Sequence, residues 1–375
     1  MAKKRIIIVG PAYPYRGGIA DFNERLAREF ISEGHEVMIY TFTLQYPGFL
    51  FPGKTQYAEG PAPEGLNIVR KVHSVNPFNW LSVGREIRKQ HPDMVMLRFW
   101  LPFMAPCLGT IARVVRRDKK IKVVGLLDNV IPHEKRIGDK VFARYMIKSV
   151  GGYVAMSESV LADAKMFDDT KPYALTPHPL YDSFGAKATR KEAIRELGLD
   201  SDTRYILFFG LIRDYKGLDL LMRAFADSRL RGKGVKLIVA GEFYGNAEKY
   251  EQLERELKLE EHMVWYKEFV PAERVRYFFA IADLVAQPYK SATQSGITQI
   301  AYHFERPMLV TNVGGLPEIV PHGKVGYVTK PDASDIADAL VDFVENRTDE
   351  DYREGILSEK SKYAWGNMTK ALLKV

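Results

Sequence analysis

Cysteine is almost absent from this sequence of 375 residues. The single cysteine, Cys107, cannot form an internal disulfide, so we exclude a disulfide-stapled scaffold and expect a reducing compartment. A membrane span needs about 20 apolar residues, but the apolar stretch 99–112 lies between two arginines and contains two prolines. The amino terminus also lacks the pattern of a signal peptide. We therefore expect a cytoplasmic protein that could work at the inner face of the membrane.

Several familiar signatures of nucleotide and metal sites are missing as well. The sequence has no G-x-x-x-x-G-K-[ST] P-loop, and no G-x-G-x-x-G follows the first predicted strand, after which the glycines come late, at Gly17 and Gly18. No clustered His, Cys or Asp residues suggest a metal site. This argues against a P-loop ATPase and weakens the case for a dinucleotide oxidoreductase, and we expect neither a metal nor another cofactor. A bound diphosphate would then be neutralised by Lys, Arg and helix amino termini.

Positive charge is concentrated in the first half of the chain. Residues 1–178 hold 26 Lys and Arg against 17 Asp and Glu, a net charge of +9, whereas residues 179–375 hold 28 against 30, a net charge of −2. The densest basic cluster consists of Arg113, Arg116, Arg117, Lys119, Lys120 and Lys122. It suits an anionic partner such as phospholipid head groups or a phosphorylated acceptor, and it equally suits a solvated helix end. We expect no nucleic acid partner.

Short β-branched runs alternate with segments of helical period along both halves of the chain. In the first half the pattern predicts a helix at 21–34 and strands at 6–9, 36–42, 67–72, 94–97, 122–127 and 153–156. After the proline-rich connector 176–180, a helix at 189–197 and strands at 205–209, 236–240, 263–266, 284–286 and 308–311 follow. Near-continuous apolar strands between helices are typical of parallel sheets covered on both faces. We therefore predict an α/β protein with two facing, Rossmann-like, doubly wound domains, at 1–178 and 179–357, and ligands at the carboxyl ends of the strands.

Three segments of the second half carry groups suited to a diphosphate. Segment 208–221 reads as a strand, a glycine turn and a helix, with Arg213 and Lys216 at the carboxyl end of the strand. Segment 287–298 is a strand end and a polar loop that enters a helix, where backbone N–H groups and polar side chains could hold phosphate. A third glycine turn, at 311–318, follows the next strand.

Together these segments resemble the GT-B glycosyltransferases of the family-4 type, which act with retention at the anomeric carbon. The likeness extends over almost the whole chain: residues 13–20 are similar to the family's amino-terminal glycine loop, and residues 314–318 to its Gly-Gly-x-Pro-Glu turn. Residues 363–368 resemble the terminal helix that crosses back, so we expect 358–375 to complete the first domain. The resemblance implies an acceptor-side first domain and a second domain that binds a nucleotide sugar. It also implies that Gly17, Gly18, Arg213 and Lys216 approach the donor diphosphate.

The sequence departs from the family pattern at two places. Arg213 stands only three residues before Lys216, whereas many relatives space this basic pair by five. The paired glutamates that many relatives carry in the later loop are absent. Other groups must take the place of the first glutamate, which lies near the transferred sugar, and the resemblance does not say what replaces the second, which usually holds the ribose. The resemblance then implies a donor site at Thr293, Gln294, Ser295, Gly296, Ile297 and Thr298.

Four further polar residues are candidates for the site. Where relatives carry a histidine at the end of a central first-domain strand, this sequence has Asp128. That carboxylate could hold a sugar or acceptor hydroxyl and stabilise positive charge on the anomeric carbon, or it could only brace a loop. His133 and Glu134 are expected on the acceptor side. Glu242 follows a strand and could contact the nucleoside or simply end the strand.

The sequence thus predicts a metal-independent, retaining glycosyltransferase of the hexosyltransferase type. Its substrates would be a nucleotide-diphosphate sugar and a glycan or lipid-linked acceptor, in the synthesis of cell-surface polysaccharide or glycolipid, with peripheral contact to an anionic membrane. A nucleotide-sugar epimerase of the same fold is one alternative, although the donor loop lacks the carboxylates that it needs. The other alternative is a non-catalytic protein that binds a nucleotide or a sugar.

Overall fold

The chain folds into alternating strands and helices, described by a computed structural model for residues 2–48, 56–58, 60–131, 138–180, 182, 184–243, 247–292 and 295–375. The strands are β1 (Arg5–Val9), β2 (Glu36–Leu44), β3 (Asn67–His73), β4 (Met94–Phe99), β5 (Lys122–Leu127), β6 (Gly152–Ala155), β7 (Tyr173–Leu175), β8 (Arg204–Phe209), β9 (Val235–Ala240), β10 (Met263–Tyr266), β11 (Leu284–Gln287), β12 (Met308–Thr311) and β13 (Gly326–Thr329). The helices are α1 (Gly18–Ser32), α2 (Pro77–Lys89), α3 (Ala105–Val115), α4 (Asp139–Ser149), α5 (Glu158–Lys165), α6 (Arg190–Leu197), α7 (Leu218–Phe225), α8 (Glu248–Glu256), α9 (Ala272–Ile281), α10 (Gly296–His303), α11 (Leu316–Ile319), α12 (Ala333–Asn346), α13 (Arg353–Lys360) and α14 (Trp365–Lys374).

The strands form two separate parallel sheets, which confirms the α/β prediction. The first has seven strands in the order β3-β2-β1-β4-β5-β6-β7, and the second has six in the order β10-β9-β8-β11-β12-β13. In each sheet the strand order reverses direction beside the first strand of that sheet, between β1 and β4 and between β8 and β11. In open parallel sheets the carboxyl end of such a switch point is where ligands bind. The candidate residues that follow β8 and β11 therefore lie at a switch point.

Both faces of the first sheet are covered, because alternate residues of its strands enter different cores. Ile7 and Val9 of β1 pack in the core that includes α2, α3 and α4. Ile6 and Ile8 pack in the core that includes α1 and α14. All four are fully buried, as expected for strands whose successive side chains point to opposite faces. Burial on both faces of the sheet is the reason that β1 is a continuous apolar run in the sequence.

Two edge strands, β7 and β13, were missed by sequence reasoning. β7 has three residues, two of which are exposed, and β13 has four and begins at Gly326. β7 buries too little to leave an apolar run, and β13, although three of its four residues are buried, has only Tyr327 and Val328 as large apolar side chains. Pairing with a neighbouring strand, rather than local preference, makes them strands.

The chain divides into two compact units, Met1–His178 with Ala364–Val375, and Pro179–Tyr363. The segment that returns to the first unit thus begins at Ala364, later than the expected 358. Residues before it pack within the second unit: Glu359 accepts a hydrogen bond from Lys324 Nζ at 2.6 Å, and the Tyr363 and Tyr302 rings lie 5.0 Å apart. In the first unit α14 packs against α1, where Thr369 Oγ1 donates to Glu33 Oε1 at 2.6 Å.

Candidate active site

The two predicted phosphate-binding cations lie in the turn that follows β8. This turn contains a short 3-10 helix, Asp214–Lys216, with Arg213 directly before it. Arg213 is exposed, whereas Lys216 is only 9% exposed. The Lys216 Nζ atom lies 3.4 Å from the point where a Cβ on Gly210 would stand. Both cations therefore belong to the carboxyl end of a central strand.

The charge of this turn is suited to an anion. Burial, followed by the nearby charge of Arg213, lowers the pKa of Lys216 from its ordinary value to about 8. An anion between the two side chains would favour the protonated amine and oppose both effects. A phosphate group is such an anion, and it accepts hydrogen bonds from both lysine and arginine.

Glycine at position 217 lets this turn approach the loop that follows β11. Gly217 has a φ of 69°, and a Cβ there would stand 1.9 Å from the Pro288 carbonyl oxygen. Beside it, the Lys290 N–H donates to the Tyr215 carbonyl at 2.7 Å. The close approach fixes Lys216 relative to the loop that leads into α10.

The start of α10 lies beside the same turn. Ser295 Oγ accepts a hydrogen bond from the Ile297 N–H at 3.2 Å and forms another, of 3.1 Å, with the Tyr289 hydroxyl. Thr298 Oγ1 donates to the Ser295 carbonyl at 2.5 Å. Ile297 Cδ1 lies 3.2 Å from the point where a Cβ on Gly210 would stand. The Ser295 and Thr298 side chains thus shape the start of the helix. The groups that could bind an anion here are the backbone N–H groups of the first turn, beginning at Gly296.

The remaining predictions for the second unit have different outcomes. Glu242 is exposed, and its carbonyl accepts from the Ile212 N–H at 2.8 Å, which puts Glu242 beside the Arg213 turn. Thr293 and Gln294 lie outside the described residues. Sequence reasoning did not single out Tyr289, whose ring centre lies 5.8 Å from Lys216 Nζ. The signal in the sequence that could have identified Tyr289 is its position inside the polar segment 287–298.

A cavity of about 450 Å³ opens at the carboxyl end of β10. Its lining includes Trp265, Phe269, Val270, Pro271 and Arg274. β10 is the second neighbour of β8 in the sheet order, so the cavity and the Arg213–Lys216 turn belong to the same edge of one parallel sheet. Lys267 and Glu268 also line it, so its walls are partly apolar and partly charged. Its volume is within the range of small-molecule sites.

In the first unit, the glycine loop leads directly into α1. Gly17 has a φ of 112° and precedes the helix, which begins at Gly18 without a side-chain cap. A Cβ on Gly17 would meet nothing within 4 Å, so its backbone conformation, not lack of space, favours glycine. The Tyr13 N–H donates to Glu24 Oε1 at 2.7 Å. Asp21 adds a carboxyl group to the first turn, which would repel an anion at this helix end.

Asp128 follows β5 and forms an ion pair with Arg98 of β4. Arg98 Nε donates to Asp128 Oδ2 at 2.6 Å, and Arg98 Nη2 donates to Asp128 Oδ1. Burial raises the pKa of the Asp128 carboxyl, and the charge and hydrogen bonds of Arg98 oppose this rise. Sequence reasoning noted Arg98 only as the boundary of an apolar stretch. Its partner lies 30 residues away, and strand pairing alone brings the two together.

Three further observations complete the comparison with the predicted site. His133 and Glu134 lie outside the described residues. Across the part of the chain that the structure describes, no three His, Cys, Asp or Glu side chains are grouped so that they could hold a metal ion. Among the same residues, no helix combines the length and apolar character needed to cross a membrane.

Comparison with known proteins identifies the second unit. Residues 189–358 match the sequence profile of the family described as "Glycosyl transferases group 1". A D-inositol 3-phosphate glycosyltransferase of Corynebacterium aurimucosum is 29% identical over 192 residues, which are 48% of this chain and 44% of that protein. A protein of the same name from Nocardia farcinica is 28% identical over 392 residues, covering 96% of this chain and 84% of that protein.

The whole chain also shares its fold with solved structures. Anabaena Alr3699/HepE in complex with UDP superposes with a TM-score of 0.70 at 14% identity, over 99% of this chain and 98% of that chain. The chain spans about half the length of the first curated relatives that it matches. The shared fold confirms the predicted GT-B class, and residues 189–358 of this chain match the family "Glycosyl transferases group 1".

Proposed function

We propose that this protein is a retaining glycosyltransferase that moves a hexose-type sugar from a nucleotide-diphosphate sugar to a glycan or lipid-linked acceptor. The observation that carries the proposal is the pairing of buried Lys216 with exposed Arg213 beside the start of α10. Two cations and a helix amino terminus at one switch point are suited to stabilise a departing diphosphate. The match of residues 189–358 to the group 1 family supports this use of the site.

In the proposed reaction, the bond between the anomeric carbon and the diphosphate oxygen breaks while the acceptor oxygen forms a new bond on the same face of the sugar. Negative charge that develops on the leaving diphosphate is stabilised by Lys216, Arg213 and the N–H groups at the start of α10. An oxygen of the leaving diphosphate takes the proton of the acceptor hydroxyl. The proposal therefore uses no protein base, metal ion or other cofactor.

We place the nucleoside along the edge of the second sheet, from the Arg213 turn towards the cavity beyond β10. The cavity lining includes Trp265 and Val270, which would contact a base, and Arg274 adds a hydrogen-bond donor. Glu242, beside the turn, is then proposed to contact the ribose or base. UDP is the first nucleotide to test, because the Anabaena protein of the same fold was solved in complex with UDP.

The first test is a panel of nucleotide sugars. Thermal shifts with UDP-, GDP-, ADP- and dTDP-sugars should identify one base, and release of the nucleoside diphosphate should then depend on an added acceptor. D-inositol 3-phosphate, named in relatives, and lipid-linked sugars are the acceptors to try. Sugar conversion without an acceptor would favour an epimerase. Binding without any release of nucleoside diphosphate would favour a non-catalytic binding protein.

The pKa of Lys216 predicts how donor affinity depends on pH. Since its pKa is lowered to about 8, Lys216 is protonated below pH 8 and loses its charge above it. We expect the affinity for a UDP-sugar, whose two phosphates carry no proton that titrates in this range, to be nearly constant from pH 6 to 7.5 and to fall by up to about tenfold per pH unit above pH 8. Calorimetric titration measures this, with Lys216→Arg as the control that stays charged and should flatten the fall. An unchanged affinity in the wild type up to pH 10 would contradict the prediction.

We also propose peripheral contact with an anionic membrane, now through only part of the predicted basic cluster. Half of that cluster serves the fold: Arg113 Nε donates to Ser149 Oγ at 2.8 Å, Arg116 Nη1 to the Ser149 carbonyl at 3.1 Å, and Lys122 Nζ to the Leu373 carbonyl at 2.7 Å. Arg116 and Lys122 thus favourably meet the carbonyl ends of α4 and α14. The other three members, Arg117, Lys119 and Lys120, are all exposed.

These three cations should contribute measurably to vesicle binding. Each basic residue near an anionic surface is worth about 1 kcal/mol, so replacing all three by glutamine should weaken binding to phosphatidylglycerol vesicles by about 100-fold. Co-sedimentation measures the partition coefficient. The matched control replaces three exposed cations of the second unit, Lys191, Arg195 and Arg255, and should change binding by less than about threefold. Equal losses in both triple variants would contradict a specific surface.

A further inference from the structure

Arg98 is a charged side chain in the middle of the first sheet. It is 1% exposed, although it belongs to β4, whose other residues are apolar and buried. Both Asp128 oxygens accept its hydrogen bonds, and its guanidinium carbon lies 3.9 Å from the ring centre of Phe22. Its third nitrogen, Nη1, is buried and has no hydrogen-bond partner among the described residues.

The surroundings of Arg98 are built to accommodate it. A Cβ on Gly10 would stand 3.0 Å from Arg98 Cβ and 2.7 Å from Asn23 Nδ2, so glycine at this position leaves room for both side chains. The Phe22 ring that covers the guanidinium is held in turn by Trp365 of α14, at 4.9 Å between ring centres. The Phe22 ring on one side and the Asp128 carboxylate on another restrict the orientation of the guanidinium.

Stability gives no sufficient reason for this arrangement. A buried ion pair costs about as much to desolvate as its attraction returns, and apolar residues of similar volume often replace such pairs without loss. The unpartnered Nη1 adds a further desolvation penalty. What the pair does provide is a fixed carboxylate at the carboxyl end of β5, the edge at which ligands of parallel sheets bind.

We propose that Arg98 is a positioning residue, which holds the Asp128 carboxylate ionised and in one orientation to accept hydroxyl hydrogen bonds from the sugar or the acceptor. Each carboxylate oxygen has two lone pairs, and Arg98 uses one of each, so one on each oxygen is left for a hydroxyl. Asp128 then acts as a hydroxyl acceptor and not as a proton-accepting base. This inference rests on the proposed transferase function.

A double-mutant cycle tests the inference. Arg98→Met and Asp128→Asn should each lower kcat by about 30- to 100-fold, because both remove the same oriented charge, and the double variant should lose no more than Asp128→Asn alone. The KM for the nucleotide sugar should change by less than about threefold. The matched control is Arg204, which also lies over a phenylalanine ring, at 4.6 Å, but donates to backbone carbonyls. Arg204→Met should lower the melting temperature and leave kcat within about twofold.

The pH profile separates positioning from a merely structural role. Arg98 is the charged group acting on the Asp128 carboxyl among the described residues; the charged residues 133–136 lie outside them. Loss of Arg98 removes the influence that opposes the raised pKa of Asp128, so the acid limb of kcat should move to higher pH in Arg98→Met. Lys at this position keeps the charge and loses the two-point contact, so Arg98→Lys should lower kcat with an acid limb close to that of the wild type.

Each result decides for or against the inference. Multiplied losses in the double variant, or an acid limb that stays in place in Arg98→Met, would overturn it. Should Arg98→Met fail to fold, a wild-type kcat in Arg98→Lys would overturn it as well. A wild-type protein that turns over no nucleotide sugar rejects the transferase function, and this inference falls with it. An active wild type with an unaffected Arg98→Met rejects the positioning role alone.

Discussion

Replacing Lys216 by methionine is expected to lower kcat/KM for a nucleotide sugar by about 100- to 1,000-fold, the usual effect of removing one group that stabilises a developing anion in a water-poor site. The structure makes Lys216 the stronger of the two cations, because it is 9% exposed whereas Arg213 is exposed. Charges interact more strongly where water is excluded. Arg213→Ala should therefore lower kcat/KM by a smaller factor than Lys216→Met, although still by at least about tenfold.

Steady-state kinetics with the nucleotide sugar selected by thermal shift measures both effects. A matched control is Lys233→Met, which removes an exposed lysine paired with Glu345 in the same unit; it should change kcat/KM by less than about twofold. Circular dichroism shows whether each variant stays folded. Wild-type kinetics in a folded Lys216→Met variant would reject the assignment of the donor site.

Alanine at Gly217 should both destabilise the second unit and weaken nucleotide binding. Its φ of 69° is costly for any residue with a side chain, and the added Cβ would stand 1.9 Å from the Pro288 carbonyl oxygen. The backbone has to shift, and Lys216 shifts with it. We expect a loss of at least about 3 kcal/mol of unfolding free energy and a UDP affinity at least about tenfold weaker.

Gly198 provides a matched control for this prediction. It has nearly the same φ, 66°, but an added Cβ there would meet nothing within 4 Å. Gly198→Ala should therefore show only the backbone penalty, about 1–2 kcal/mol, with wild-type UDP affinity. Calorimetric melting and UDP titration of both variants measure the difference. Equal melting temperatures for the two would show that the contact with Pro288 is not rigid.

The sequence predicted the sheets better than their edges. Central strands such as β1 and β8 are buried on both faces, so their apolar character is continuous and visible in the sequence. β7 and β13 are short and lie at sheet edges, where pairing and not composition defines a strand. The returning segment was expected from 358 but begins at Ala364, because contacts such as that of Glu359 with Lys324 hold the preceding residues in the second unit.

The candidate site likewise has a part that the sequence predicted and a part that only the structure shows. Arg213 and Lys216 are neighbours in sequence, in a turn whose glycine could be read directly. The contact of Gly217 with Pro288, and the approach of Ile297 to Gly210, join segments about 70 to 90 residues apart, and no spacing in the sequence states that they meet. For Ser295 and Thr298 the structure shows local hydrogen bonds that shape the helix start, a role that sequence reasoning did not separate from ligand contact.

By itself the sequence determined the fold class, because alternating strand and helix patterns are local consequences of side-chain burial. It also put Arg213 and Lys216 together in one turn, since that turn depends on a strand, a glycine and four adjacent residues; their contact with a donor stays a prediction. Only the tertiary structure decided which groups modify them: the burial that lowers the pKa of Lys216, and the pairing of Arg98 with Asp128. Those properties arise from parallel strands that bring distant residues to one edge of a sheet, and such contacts leave no periodic trace along the chain.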